Sequence, residues 1–258
     1  MILALDVGNS HIVLGCMEDG RLLCRSRMAT DREKTEYEYA VMIRELLELQ
    51  RMGDGAMEGA IISSVVPEVT GTLSRAVKLL TGLESMVVGA GLKTGLNIRI
   101  DDPAQLGSDL AVGAVAALSL ARPPLIVIDL GTGTTLSALD KSGSFLGGII
   151  IPGVRLSLNA LTGRSSLLPD IALEAPKKYI GSNTVDCLLS GSVFGTAAML
   201  DGLIERMEAE LGESAQVIAT GGLAESIIPH CRRDIRLEKD LLFIGLWEIW
   251  KRNRRSRT

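Results

Sequence analysis

Two stretches of the chain, ILALDVGNSHIVLGCMEDGRLL from Ile2 to Leu23 and LIVIDLGTGTTLSALDKSGSFL from Leu125 to Leu146, follow one pattern. Each begins with a short apolar run typical of a buried β-strand and reaches an Asp-x-Gly-[Asn/Thr] turn. A second β-type run and a glycine-containing turn into a third strand follow. Asp6 and Asp129 occupy the matching positions, about half of the chain apart. The repeat therefore predicts two domains of similar plan.

The same order of elements follows each copy: a helix, a strand and a second helix. The predicted elements are a helix over 36–49, a strand over 60–66 and a helix from Pro67, then a helix over 185–211, a strand over 216–219 and a helix after 220–222. Strands interleaved with helices favour sheets that are covered by helices, an α/β fold. Arg122-Pro123-Pro124 interrupts the chain after a predicted helix, which places the domain boundary between residues 1–121 and 122–258.

Composition and charge exclude several classes of protein. Lys and Arg number 27 against 31 Asp and Glu, a net charge of -4, so the broad positive field needed for non-specific nucleic-acid binding is missing. Four cysteines without a CxxC pair and two histidines give little support for structural zinc. No basic flank opens the chain, and no uninterrupted apolar run approaches the roughly 20 residues that cross a bilayer. We expect a cytoplasmic protein that binds neither nucleic acid nor membrane.

The Asp-x-Gly turns have the composition of a phosphate and metal site. Gly8 allows the backbone to approach a ligand closely, and successive N–H groups in such a turn can point at phosphate oxygens. An adjacent aspartate suits Mg²⁺, which prefers one or two carboxylates together with phosphate oxygens and water. A single copy could be an ordinary β-turn, but two copies at matching positions favour a site. The sequence contains no GxxxxGK[ST], GxGxxG or GxSxG motif.

The duplicated turns and a later Thr-Gly-Gly resemble the acetate and sugar kinase, heat-shock chaperone and actin superfamily, and within it the type III pantothenate kinases. The resemblance extends over nearly the whole chain in six ordered motifs: Asp6–Ser10, Gly107–Asp109, Asp129–Thr135, Gly147–Gly153, Gly181–Thr184 and Thr220–Gly222. It implies a duplicated ribonuclease H-like (actin-like ATPase) fold, with two similar domains and a nucleotide cleft between them. The implied activity is ATP-dependent phosphorylation of pantothenate to 4'-phosphopantothenate, the first step of coenzyme A synthesis.

The resemblance also implies roles for individual residues. The ATP-binding residues are Asp6, Val7, Gly8, Asn9, Ser10, His11, Ile12, Val13 and Thr132, and the substrate-binding residues are Gly107, Ser108, Asp109, Leu110 and Thr184. The resemblance makes Asp109 the general base and Asp129 a ligand of a monovalent cation (K⁺ or NH₄⁺), and the composition of the first turn predicts Asp6 as a ligand of the Mg²⁺ that accompanies ATP. Family members form homodimers, and the predicted helices over 153–161 and 193–203 have the small and apolar residues that suit an interface.

Asp109 has a second interpretation. It lies where a loop turns into the apolar helix Leu110–Leu120, and an Asp there can cap the helix. The residues alone favour the cap and the resemblance favours the base, and the two roles are compatible.

Three residues depart from the family pattern: Leu110 stands where Arg is common, Ile100 where Tyr is frequent, and Asp102 where Asn is frequent. An Arg at position 110 would pair with the pantothenate carboxylate, which Leu110 cannot do. Arg99, Arg155 and Arg164, from this chain or from a partner subunit, are candidate replacements. The alternatives are a kinase of another small alcohol, or a nucleotide-binding regulator without turnover, and the intact carboxylates of Asp6, Asp109 and Asp129 argue against the regulator.

Overall fold

The computed structural model describes residues 1–52, 57–89, 91–165 and 167–254. The described residues within Met1–Leu96, Asp102–Ser119 and Asp240–Thr258 form one compact unit, and those within Asn97–Asp101 and Leu120–Lys239 form a second. In chain order the elements are β1 (Ile2–Val7), β2 (His11–Glu18), β3 (Arg21–Ala29), α1 (Glu36–Leu49), β4 (Gly59–Ser64), α2 (Pro67–Thr81), β5 (Ser85–Val87), α3 (Ser108–Leu120), β6 (Leu125–Leu130), β7 (Gly133–Leu139), β8 (Phe145–Pro152), α4 (Val154–Thr162), α5 (Thr184–Leu211), β9 (Gln216–Thr220), α6 (Ala224–Ile227), β10 (Arg236–Leu237) and α7 (Leu241–Arg254).

The first unit is built on a five-stranded sheet in the order β3-β2-β1-β4-β5. The central strand β1 pairs antiparallel with β2 and parallel with β4, and its side chains are buried on both faces. Leu3 and Leu5 pack on one face with residues of α1 and α2, whereas Ile2 and Ala4 pack on the other with residues of α3 and α7. Burial on both faces explains why β1 is almost continuously apolar up to Asp6.

Local signals in the sequence set the ends of the first two helices. Thr35 caps α1, since its hydroxyl accepts from the Glu38 N–H while the Glu38 carboxylate accepts from the Thr35 N–H. Pro67 opens α2, where its missing N–H leaves no helical bond unmade, and Gly82 ends the helix in a left-handed conformation. The predicted bounds of α1 and the predicted start of α2 are therefore confirmed.

The C-terminal helix α7 packs in the first unit. A Cβ at Gly59 of β4 would lie 2.6 Å from the Trp250 Nε1, and one at Gly245 would lie 2.1 Å from the Val112 carbonyl oxygen, so glycine is needed at both close approaches. The domain boundary predicted between residues 121 and 122 would assign α7 to the second domain. The contacts of α7 instead group it with the first unit.

The second unit repeats the plan of the first. Its sheet runs in the order β10-β9-β6-β7-β8, and β6 pairs antiparallel with β7 and parallel with β9, as β1 does with β2 and β4. Ile126, Ile128 and Leu130 of β6 form a core with side chains of α5. The prediction of a duplicated α/β plan is confirmed.

One helix of the described residues, α5, is long and apolar enough to cross a membrane by length and composition alone. The sequence was not expected to contain such a segment, and α5 meets the criterion because no charged residue lies between Asp186 and Asp201. Core helices of soluble proteins pass the same test. Val193, Leu200 and Ile204 of α5 are buried in the core of the second unit.

Candidate active site

The first Asp-x-Gly motif is a tight turn between β1 and β2. The Gly8 N–H donates to the His11 carbonyl at 2.9 Å, and a Cβ at Gly8 would lie 3.3 Å from that oxygen. Thr30, just beyond β3, holds the turn from outside: its hydroxyl donates to the Gly8 carbonyl at 2.7 Å and its N–H to the Ser10 carbonyl at 3.1 Å. The backbone that would receive phosphate oxygens is thus held in place by the protein itself.

The side chains of the predicted ATP segment divide into two groups. Val7 and Ile12 are buried in the core of the first unit, so only their backbone groups could contact a nucleotide. Asn9, Ser10 and His11 are exposed on the turn. The structure therefore favours the turn itself, rather than the flanking strands, as the part that meets a ligand.

Asp6 lies beside the end of β4. Two serines at the end of β4 form hydrogen bonds with the start of α3. In the sheet register Asp6 is opposite Ser63, which is fully buried. The Ser63 hydroxyl donates to Ser108 Oγ at 3.2 Å, and the Ser108 hydroxyl donates to the Ser64 carbonyl at 2.9 Å. The start of α3 is therefore fixed beside the carboxyl-terminal ends of β1 and β4. Asp6 and Asp109 both lie at this end of the sheet in the first unit.

Asp109 lies in the first turn of α3. The Gly107 carbonyl accepts the first helical bond, from the Ala111 N–H at 3.1 Å, and Asp109 Oδ1 accepts from the Leu110 N–H at 2.8 Å. Asp109 is thus within the helix rather than at the capping position. Burial raises the pKa of the Asp109 carboxyl above its ordinary value, although backbone hydrogen bonds oppose the shift. A Cβ at Gly107 would lie 2.6 Å from Oδ1, so any other residue there would displace the carboxylate from its present position.

In the second unit, Asp129 lies at the end of β6 between two glycine turns. It is opposite Thr135 of β7 and Thr220 of β9 in the sheet register. A Cβ at Gly221 would lie 2.5 Å from Asp129 Oδ1, and one at Gly131 would lie 3.5 Å from the same atom. The Thr-Gly-Gly motif and the second Asp-x-Gly motif, which are distant in sequence, therefore meet around this carboxylate.

Thr132 belongs to the same group of loops. The Gly153 N–H donates to the Thr132 carbonyl at 3.1 Å, and a Cβ at Gly153 would lie 2.2 Å from that oxygen. The end of β8 and the start of α4 are thus held against the second turn. Three of the six motifs, at 129–135, 147–153 and 220–222, come together in this unit.

Thr184 is the first residue of α5, and it is exposed. Asn183 caps this helix by accepting from the Asp186 N–H at 2.9 Å. A Cβ at Gly181 would lie 2.5 Å from the Cys187 backbone nitrogen, which explains the glycine of this motif. Thr184 belongs to the second unit, whereas Gly107–Leu110 belong to the first. The proposal that Asp6 and Asp129 line a shared nucleotide cleft stays a prediction.

The described residues contain no group of three or more His, Cys, Asp or Glu side chains that could hold a metal ion without other ligands. A metal that binds together with a nucleotide needs fewer protein ligands, because phosphate oxygens and water complete its coordination. Asp6, next to the Gly8 turn, suits that arrangement. Asp129, with hydroxyl residues opposite it on both neighbouring strands, supplies the oxygen donors that hard cations take.

Two of the three candidate replacements for the missing family arginine have local partners. Arg99 pairs with Asp140 at 3.4 Å, and Arg155 Nη1 donates to the Ile171 carbonyl at 2.9 Å. Each of these two arginines would have to give up its present contact in order to bind a substrate carboxylate.

A separate cavity of about 530 Å³ lies in the second unit beside α5. The Phe194 ring contacts the rings of Tyr179 and His230 along it, and Arg233, which pairs with Glu208, contributes to its wall. None of the site residues predicted from sequence lines it. Sequence reasoning gave no signal for this cavity.

Sequence reasoning also missed Thr30, Ser63 and Ser64, which hold the two motifs of the first unit in place. The available signal was Ser63-Ser64 at the end of an apolar strand, the position that Asp6 takes in β1. Because parallel strands end at one edge of a sheet, polar residues at both ends meet there.

Each sheet thus carries an aspartate near the end of its first strand in chain order and a glycine turn after it. The activator of 2-hydroxyisocaproyl-CoA dehydratase from Clostridium difficile, solved with bound ADPNP, has a similar structure, with a TM-score of 0.58 and 10% identity over 99% of this chain and 97% of that chain. A Baf family protein from Campylobacter jejuni matches with a TM-score of 0.60 and 19% identity over 98% and 99% of the two chains. Such low identities show the fold alone.

Sequence comparison identifies the family. The model of the type III pantothenate kinases matches residues 2–206. The type III pantothenate kinase of Moorella thermoacetica is 40% identical over 253 residues, which cover 98% of this chain and all of that relative. The chain belongs to the type III pantothenate kinase family.

Proposed function

We propose that this protein transfers the γ-phosphoryl group of ATP to the terminal hydroxyl of pantothenate, giving ADP and 4'-phosphopantothenate, the first step of coenzyme A synthesis. The observation that carries the proposal is the Asp109 carboxylate, held at the start of α3 on the sheet edge where Asp6 and the Gly8 turn lie. Membership of the family supports the choice of substrate. ATP as a substrate also supports a cytoplasmic location.

Asp109 acts as the general base in this reaction. It takes the proton of the attacking hydroxyl while the new P–O bond forms and the bond to the leaving ADP oxygen breaks. Its raised pKa suits this task, because a carboxylate held away from water accepts a proton more readily than an exposed one. The Gly8 N–H is bound to the His11 carbonyl, so the later backbone N–H groups of this turn, with Asn9, Ser10 and Thr132, hold the phosphates.

Two cations complete the proposed chemistry. Asp6 would hold Mg²⁺ with the nucleotide, and Asp129 would hold K⁺ or NH₄⁺; both ions would neutralise negative charge on the phosphates. Gly221 makes room for the Asp129 carboxylate in its present position, since a Cβ at residue 221 would lie 2.5 Å from Asp129 Oδ1.

The substrate residues are Gly107–Leu110 and Thr184. Leu110 offers no charge to the pantothenate carboxylate, so a cation from elsewhere takes that role, with Arg99, Arg155 and Arg164 as candidates. Each Arg→Ala variant is measured for its pantothenate KM, and a rise of about tenfold or more, the range of a lost charged hydrogen bond, identifies the ligand. If no variant raises the KM, the hypothesis that one of these arginines replaces the family arginine at position 110 is wrong.

We also propose a homodimer that uses the outer face of β8 and α4. Ile150 of β8 is 78% exposed, and Leu156 and Leu161 of α4 are 51% and 53% exposed. Large apolar side chains exposed together on an edge strand and its neighbouring helix favour contact with another chain. In α5, by contrast, Val193 and Leu200 are buried within the unit, so only the rest of the segment over 193–203 could contribute.

The purified protein is expected to release ADP only when pantothenate is present. Asp109→Asn should lower kcat by about 10² to 10⁴, the usual contribution of a general base. Asp102→Asn is the matched control: Asp102 is exposed, precedes α3, and caps a short turn through the Ala104 N–H at 3.0 Å, which Asn can also do. ADP release with another alcohol and not with pantothenate would favour a different kinase, and no release with any alcohol would favour the regulator.

A further inference from the structure

The hydroxyl of Ser108 is fully committed to hydrogen bonds within the protein. It donates to the Ser64 carbonyl at 2.9 Å, and it accepts from the Ser64 N–H at 3.0 Å and from the Ser63 hydroxyl at 3.2 Å. A serine hydroxyl has one hydrogen to donate and two lone pairs. All three are used, so the side chain has no capacity left for a substrate.

These three hydrogen bonds form a short path between the segment that carries Asp109 and the strand that neighbours Asp6. Ser108 directly precedes Asp109, and Ser63 is directly opposite Asp6 on the neighbouring parallel strand. The path is anchored on its other side by Thr70 of α2, whose hydroxyl donates to Ser64 Oγ at 2.7 Å. Movement of the start of α3 away from β4 would break all three bonds of the Ser108 hydroxyl at once.

We propose that Ser108 is a positioning residue, which fixes Asp109 relative to the strand of Asp6, and that its side chain is not a ligand of the substrate. The proposal rests on the base role given to Asp109 above. It replaces the substrate-binding role that the family resemblance implies for this side chain, whereas the Ser108 backbone remains available to a ligand. Proton transfer depends steeply on distance, and a displacement of about 1 Å can cost about 10² in rate.

The test compares kcat and the pantothenate KM for Ser108→Ala, Ser63→Ala and the double variant. Because Ser63 is fully buried, it cannot touch a substrate, yet its removal loosens the same path. We expect both single variants to lower kcat by about tenfold or more with a pantothenate KM within about twofold of the wild type. The double variant should be no slower than the slower single variant by more than about twofold, since both act on one path.

Ser119→Ala is the matched control, because Ser119 is on the same helix and its hydroxyl donates to the Ala116 carbonyl at 2.7 Å, in the last turn. It should retain wild-type kcat and KM. Ser108→Thr, which keeps the hydroxyl, should recover more of kcat than Ser108→Ala. If Ser108→Ala does not fold, as judged by its melting curve, Ser63→Ala and Ser108→Thr decide the question by the same criteria.

Two results would overturn the proposal. A raised pantothenate KM with unchanged kcat in Ser108→Ala, and none in Ser63→Ala, would make Ser108 a substrate ligand. Wild-type kcat in both single variants would show that the path does not position Asp109. Asp109→Asn measured in parallel separates these results from a failure of the proposed function: an active Asp109→Asn removes the base role itself, whereas an inactive one with normal serine variants removes only the positioning role.

Discussion

Replacing Gly221 by alanine should disturb the second unit at the Asp129 carboxylate. Gly221 has a φ of +102°, a backbone conformation that costs an L residue about 1 to 2 kcal/mol. The added Cβ would lie 2.5 Å from Asp129 Oδ1 and 2.5 Å from the Leu130 backbone nitrogen, so neither the turn nor the strand can accommodate it without moving. Crowding of this kind costs about 1 to 3 kcal/mol.

Strain and crowding together amount to about 2 to 5 kcal/mol of lost stability. At about 2 to 4 °C per kcal/mol for domains of 150 to 250 residues, the Tm should fall by about 4 to 20 °C. The neighbouring Gly222 provides the matched control, because a Cβ there would meet nothing within 4 Å. Gly222→Ala should therefore retain the Tm of the wild type within about 2 °C.

The assay is a thermal melt of both variants, followed by initial rates against K⁺ concentration. If Asp129 holds the monovalent cation, its displacement by the new methyl group should raise the K⁺ concentration for half-maximal activity in Gly221→Ala and not in Gly222→Ala. Equal melting temperatures for the two variants would refute the steric argument. A normal K⁺ response in a destabilised Gly221→Ala would refute the cation role of Asp129.

The remaining predictions concern pH, packing and association. Because burial raises the pKa of Asp109 and the base acts deprotonated, kcat should fall as pH decreases through a midpoint above 3.8; a profile of kcat with a midpoint at or below 3.8 contradicts this. Gly59→Ala, whose Cβ would lie 2.6 Å from the rigid Trp250 ring, should cost about 1 to 3 kcal/mol in urea unfolding. Gly71→Ala, on the exposed face of α2, should instead stabilise by about 0.5 to 1 kcal/mol, and equal effects of the two would count against the packing described for α7. If the protein forms the proposed homodimer, Ile150→Asp should convert it to monomers in light scattering after gel filtration, and an unchanged dimer mass would exclude β8 from the interface.

The parts of the fold that sequence predicted are those with short-range signals. The helix over 36–49, the start of the helix at Pro67 and the strand order around both Asp-x-Gly turns follow from periodicity, caps and turns, which act within a few residues. The predicted strand over 60–66 is observed as Gly59–Ser64, an end effect of the size expected where a strand passes into a helix. Asp109 illustrates the limit, since the residues around it fit either a cap or a base.

The amino-acid sequence by itself determined the duplicated α/β plan and the family, and it predicted three site carboxylates, because all of these depend on short contiguous motifs. The tertiary structure decided that α7 packs with the first unit, that Gly221 lies against Asp129, and that the Ser108 hydroxyl is used up by Ser63 and Ser64. These contacts join residues far apart in the chain, and they depend on close approaches of the backbone and on shared hydrogen bonds that no local pattern of residues encodes.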